Sequence, residues 1–184
     1  MTQYARPDSD VDNQDDAWTN SDGGAPSNVL YTYIDETSAG SDYVQGSDDE
    51  CSGDGKYFTV GLSNVTDPSS SSSHAMKFYG RLTSSESDTW FKIELLEGTT
   101  VRATKTISDP DDTSAPGTLF THSLSTSEAN SITNYNNLRL RIYAGDDGCM
   151  GAEFQVYQAW FECPDAAAPA ATANGKAFML FLDT

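Results

Sequence analysis

Along most of this chain, apolar and polar residues alternate in short runs with a period of two. In 137–165, Leu138, Leu140 and Ile142 alternate with Arg139, Arg141 and Tyr143. That pattern belongs to a strand with one buried and one wet face. Gly145, Asp146, Asp147 and Gly148 interrupt it, Phe154, Val156 and Trp160 resume an apolar row, and Pro164 closes the segment. The two runs read as a closing β-hairpin. Trp160, on the same row as Phe154 and Val156, reads as pointing inward.

Earlier runs repeat the theme. Residues 29–36 carry Leu30, Tyr31, Tyr33 and Ile34. Residues 57–63 alternate Phe58, Val60 and Leu62, and 75–82 carry Met76, Phe78 and Leu82. Residues 89–96 hold Trp90, Phe91, Ile93 and Leu95, 100–107 hold Val101, Ala103 and Ile107, and 117–124 hold Leu119 and Leu124. The connections 38–56, 66–74, 84–88 and 108–116 are rich in Gly, Ser, Asp and Pro. Short strands spaced by turn signals predict an all-β antiparallel sandwich. Glu97-Gly98-Thr99 marks a hairpin tip. Ser125-Thr126-Ser127-Glu128 matches a capping box and predicts one or two helical turns.

The flanks differ from this body. Residues 1–28 are acidic and punctuated by Pro7, Gly23, Gly24 and Pro26, and predict an extended arm anchored by Trp18. The body is expected over 29–163. Residues 164–184 form an Ala/Pro linker ending in Phe178, Met179, Leu180, Phe181 and Leu182. So apolar an end is expected either to add a last strand or to dock on a neighbouring subunit by strand addition.

Composition narrows the classes. The 184 residues suffice for one domain, and 11% aromatic content argues for a folded body. With 10 basic and 28 acidic residues the formal charge is −18. Phosphate backbones and anionic membranes are therefore poor partners. The first ten residues lack the apolar stretch of a secretory leader. Cys51, Cys149 and Cys163 cannot all pair, and the preferred reading is three reduced thiols.

Candidate chemistry is sparse. Asp8, Asp10 and Asp12 form a D-x-D-x-D run, but an EF-hand loop needs Gly and Glu where Asn13 and Thr19 stand. Asp48, Asp49, Glu50 and Asp54 form another acidic group, with Asp109, Asp111 and Asp112 and then Asp146 and Asp147 further on. Solvated acidic loops are the favoured reading, one structural calcium ion the alternative, and no cofactor is expected. His74 and His122 are isolated, and no zinc spacing, nucleophile elbow or phosphate loop is present. Carboxylate pairs for glycoside hydrolysis are unspecific among so many acids. Trp18 and Trp90 are the candidates for stacking on a sugar ring, against a core role. Asn64-Val65-Thr66 matches a glycosylation sequon but carries no weight here.

The overall order of motifs resembles a module found in tailed-bacteriophage structural genes. The resemblance spans residues 6–163. It runs through Arg6-Pro7, Asp10-Val11, Trp18-Thr19, Leu30-Tyr31, Ile34-Asp35-Glu36 and Asp42-Tyr43-Val44-Gln45, then Phe58-Thr59-Val60-Gly61-Leu62-Ser63 and Val65-Thr66-Asp67-Pro68. It continues through Ser127-Glu128-Ala129-Asn130, Ile132-Thr133, Tyr135, Leu138-Arg139-Leu140-Arg141-Ile142 and Trp160. It implies a jelly-roll-like sandwich on a virion protein, in a capsid-decoration, tail or fibre role, with no catalytic set. The acidic inserts 46–56 and 108–116, the cysteines and the apolar terminus depart from it.

These readings combine into a non-enzymatic virion protein made in the host cytoplasm. The expected role is capsid decoration: a dimer or trimer bridging subunits of the major capsid protein, or other virion proteins, through Phe178 to Leu182. The alternative is a carbohydrate-binding module of a phage tail or fibre protein that attaches to host glycans.

Overall fold

The structure, a computed structural model, describes residues 1–22, 29–47, 55–85, 87–110, 113–148 and 151–166. Its strands are β1 (Thr2–Ala5), β2 (Pro7–Asn13), β3 (Trp18–Asn20), β4 (Val44–Ser47), β5 (Lys56–Leu62) and β6 (Ala75–Leu82), then β7 (Thr89–Glu97), β8 (Thr100–Ser108), β9 (Thr118–Ser123), β10 (Leu138–Asp146) and β11 (Glu153–Pro164). One short helix, α1 (Thr126–Asn130), follows β9. No helix among the described residues is long and apolar enough to cross a membrane.

Two antiparallel sheets result. The front sheet runs β3-β4-β11-β6-β9, with β1 also paired to β11, and the back sheet runs β2-β5-β10-β7-β8. From β4 onward the chain passes repeatedly between the sheets, only β7 and β8 being consecutive partners. This is an all-β antiparallel sandwich, as the alternation predicts, and jelly-roll-like, as the resemblance implies.

The core lies where the inward rows meet. Phe91 of the back sheet contacts Phe78 and Phe154 of the front sheet, edge to face, with ring centroids 5.3 and 5.2 Å apart. Such pairs add to the burial of their large apolar areas. The hairpin β7–β8 forms as predicted, with Gly98 at φ +62° in its tip. The capping box also forms: Ser125 Oγ accepts from the Glu128 backbone N–H, and Glu128 accepts in return from Ser125 N–H.

Four expectations give way. The supposed N-terminal arm is strand from its second residue, and β1, β2 and β3 join both sheets. Pairing with ordered neighbours holds these strands, so they need no apolar alternation of their own. The predicted strand at 29–36 is a 3-10 turn, Leu30–Tyr33. Asp10 causes this, because its two carboxylate oxygens accept from Leu30 and Tyr31 N–H at 2.7 and 2.9 Å and so cap the turn. The runs around the Gly/Asp loop are no hairpin, since β10 sits in the back sheet and β11 in the front. Trp18 is fully buried with its ring 4.8 Å from that of Phe58, and therefore cannot stack on a sugar. The predicted docking residues Phe178, Met179, Leu180, Phe181 and Leu182 lie outside the described residues, as do Cys51 and Cys149.

Candidate functional site

One extra residue in β11 creates an apolar groove on the outer face of the front sheet. Val156 pairs with Gly80 and Gln158 with Tyr79, leaving Tyr157 unmatched in a β-bulge. Side chains alternate along a strand, so a single inserted residue reverses the facing of everything after it. Phe154 and Val156 point into the core before the bulge, as do Ala159, Phe161 and Cys163 after it. Trp160 is thereby turned to the outer face beside Gln158 and Glu162, contrary to the inward position its spacing suggests.

On that face Trp160 stacks on Tyr79, centroids 6.2 Å apart and planes 29° from parallel. Tyr4 on β1 and Leu119 on β9 extend the row across four adjacent strands, and are 52% and 40% exposed. Together with Arg6, Gln158, Glu162 and the 37–39 loop they line a groove of about 550 Å³. Polar groups there are held firmly. Trp160 Nε1 donates to Glu162 Oε1 at 2.8 Å, and Lys77 Nζ reaches both Glu162 oxygens at 2.9 and 2.8 Å. Gln158 Nε2 and Arg6 Nη1 both donate to the Glu36 carbonyl. Burial pushes the Glu36 carboxyl above the ordinary range. Asp35 and Asp42 add to the rise, while its own backbone N–H and Arg6 oppose it.

The second groove, about 450 Å³, lies on the outer face of the back sheet around Trp90. Trp90 pairs with Gly145 on β10, and its indole packs on backbone: a Cβ at Gly145 would lie 2.2 Å from Cζ2, and one at Gly55 2.6 Å from Cη2. Only glycine leaves room for the ring to settle there. Asp147 Oδ1 accepts from Trp90 Nε1 at 3.3 Å, and Asp88, Asp109, Lys92, Thr106 and Ser108 complete the rim. Lys92 Nζ sits 3.6 Å from the Tyr143 ring centre, beside a Tyr57–Tyr143 pair 5.0 Å apart.

Several of the remaining polar candidates have structural partners, while Asp48, Asp49, Glu50, Asp54, Asp111 and Asp112 lie outside the described residues. In the D-x-D-x-D run Asp12 accepts from Tyr57 Oη at 3.0 Å and Asp10 caps the 30–33 turn, and beyond it Asp15 pairs with Lys56 at 2.9 Å. Among the described residues, no three His, Cys, Asp or Glu side chains are grouped to hold a metal ion. His122 meets Glu128 at 3.4 Å. Buried His74 contacts Tyr135 Oη through Nε2 at 2.8 Å and the Ser72 carbonyl through Nδ1 at 3.0 Å. Burial pushes the Tyr135 hydroxyl up to about 12 and the Cys163 thiol up to about 11.

Of the two predicted stacking residues, Trp90 lines a groove and Trp18 does not. Sequence reasoning missed Tyr4, Arg6, Tyr79 and Trp160. Tyr79 carried a usable signal, as an aromatic on the polar row Lys77-Tyr79-Arg81. Gln155 and Gln158, three apart in an apolar strand, were the trace of the bulge.

No family model matches the chain, and no curated protein matches it. Among the solved structures similar to it are three binding modules. The C-terminal CBM6 of LamC, a marine laminarinase from Zobellia galactanivorans, has 13% identity and a TM-score of 0.44, covering 88% of this chain and 98% of its own. The xylan-binding module CBM15 has 11% identity and a TM-score of 0.43, with 91% and 99% covered. TmCBM61, solved with β-1,4-galactotriose, has 10% identity and a TM-score of 0.37, with 87% and 86% covered.

Proposed function

We propose that this chain is a non-catalytic carbohydrate-binding module whose principal glycan site is the front-sheet groove. The row Tyr4–Trp160–Tyr79–Leu119 carries this reading. Tyr4, Tyr79 and Leu119 offer apolar and aromatic surface for the C–H faces of sugar rings over Trp160, which is 8% exposed, and Arg6 and Glu162 border it for their hydroxyls. An apolar floor with a few convergent polar groups is the usual form of a small-ligand site. Hydrolysis would need two carboxylates flanking the bond. The lining residues of this groove include one, Glu162, and its oxygens are occupied by Lys77 and Trp160.

Within a phage, such a module would serve a tail or fibre protein that attaches to host glycans. Capsid decoration rests instead on the sequence resemblance and on the 178–182 segment. Affinity electrophoresis against neutral and acidic polysaccharides separates the two readings. Retardation by at least one polysaccharide, lost in Tyr79→Ala with an unchanged circular dichroism spectrum, supports glycan binding. No retardation of the native chain by any of them overturns it.

A further inference from the structure

The chain carries far more acid than base, and Lys56, Lys77, Lys92, Arg102 and Arg141 each have a carboxylate within ion-pair distance. Arg6 has none among the described residues, yet it lines the aromatic groove. Its guanidinium carbon lies 5.8 Å from the Tyr4 ring centre and 6.0 Å from that of Trp160, so two aromatic rings flank it. Its Nη1 donates to the Glu36 carbonyl, which fixes the orientation of the planar group. A guanidinium has five N–H donors, and those on Nε and Nη2 have no protein acceptor among the described residues. Of the two nearby carboxyls, Glu162 is paired with Lys77, and Glu36 is outside ion-pair distance of Arg6 although Arg6 opposes the rise in its pKa.

From this geometry we infer that the groove selects glycans bearing an oxyanion, a uronate carboxylate or a sulfate ester, which Arg6 binds through its unoccupied edge. The inference rests on the glycan-binding reading of the same groove. A guanidinium oriented by a backbone carbonyl and flanked by two rings suits bidentate recognition of such a group. The chain's overall negative charge does not cancel this. At about 0.15 M salt the screening length is about 8 Å, so the local cation dominates over distant acids.

The test is calorimetric titration at that salt with two matched pairs: a polygalacturonate with its methyl ester, and a sulfated galactan with its desulfated form. The expected result is roughly tenfold tighter binding of one charged form over its neutral partner, the size of one charge-assisted hydrogen bond. Arg6→Gln should bring the charged and neutral forms of that pair to equal affinity, whatever it costs both in absolute terms, and Arg6→Lys should restore part of the preference. The pair that shows the preference identifies the oxyanion. Equal binding within both pairs, or a preference that survives Arg6→Gln, overturns the inference and leaves glycan binding intact. Binding of neither charged nor neutral forms overturns both.

Discussion

Trp160 and Tyr79 stack on the outer face of the front sheet only because Tyr157 bulges out of β11 three residues before the tryptophan. The bulge residue is itself anchored. Its hydroxyl donates to Gln155 Oε1 at 2.8 Å, the oxygen that also accepts from Arg81 Nε at 2.8 Å. Strand parity, core composition and the groove therefore share one local cause.

Deleting Tyr157 should abolish the fold, whereas Tyr157→Ala should leave a cooperative transition. Without the extra residue, Phe161 and Cys163 must leave the core or β11 must slip against β6. Expected losses exceed about 4 kcal/mol for the deletion, beyond the range of most single changes. Thermal melts followed by circular dichroism decide it, and a normally folded deletion variant would refute the parity argument.

Gly145→Ala should destabilise by roughly 1–3 kcal/mol, because its Cβ would overlap the Trp90 indole. In a Trp90→Ala background the same change should cost much less. A double-mutant cycle of chemical denaturation measures that coupling. Additive effects would mean that the ring does not depend on the glycine.

His74 should make stability fall in mild acid. Burial lowers its pKa below the ordinary 6.5, opposed by the Ser72 carbonyl and Asp67. The unfolded chain thus binds the proton more readily than the native one. The contribution of neutral His74 is complete above about pH 6.5 and is lost as pH falls through the lower native value. Denaturation midpoints between pH 7.5 and 5 should drop less steeply in His74→Gln than in the native protein.

Cys163 should resist thiol reagents while the protein is folded. Its thiol is fully buried, and that burial holds the pKa near 11, leaving almost no thiolate at neutral pH. Pulsed alkylation with peptide mapping should show modification of Cys163 only after denaturant is added.

Much of the fold was legible in the sequence. The β6 strand at 75–82, the β7–β8 hairpin and the Ser125–Glu128 cap follow from alternation, a glycine tip and two side chains of suitable reach. These are local properties, set by which neighbours share a face or a turn. The tertiary structure alone decided the rest. Alternation marks β10 and β11 as strands but does not say that they belong to different sheets. Nor does it show that β1, β2 and β3 are strands, because partner strands hold them. The facing of Trp160 changed for the same reason: the bulge is held by the register against β6 and by Arg81 of that strand, which meets Gln155 beside the bulge from far away along the chain. Tyr4, Arg6, Tyr79 and Trp160 come from three separate strands and a connecting residue, so only the packed sheet could bring them into one groove.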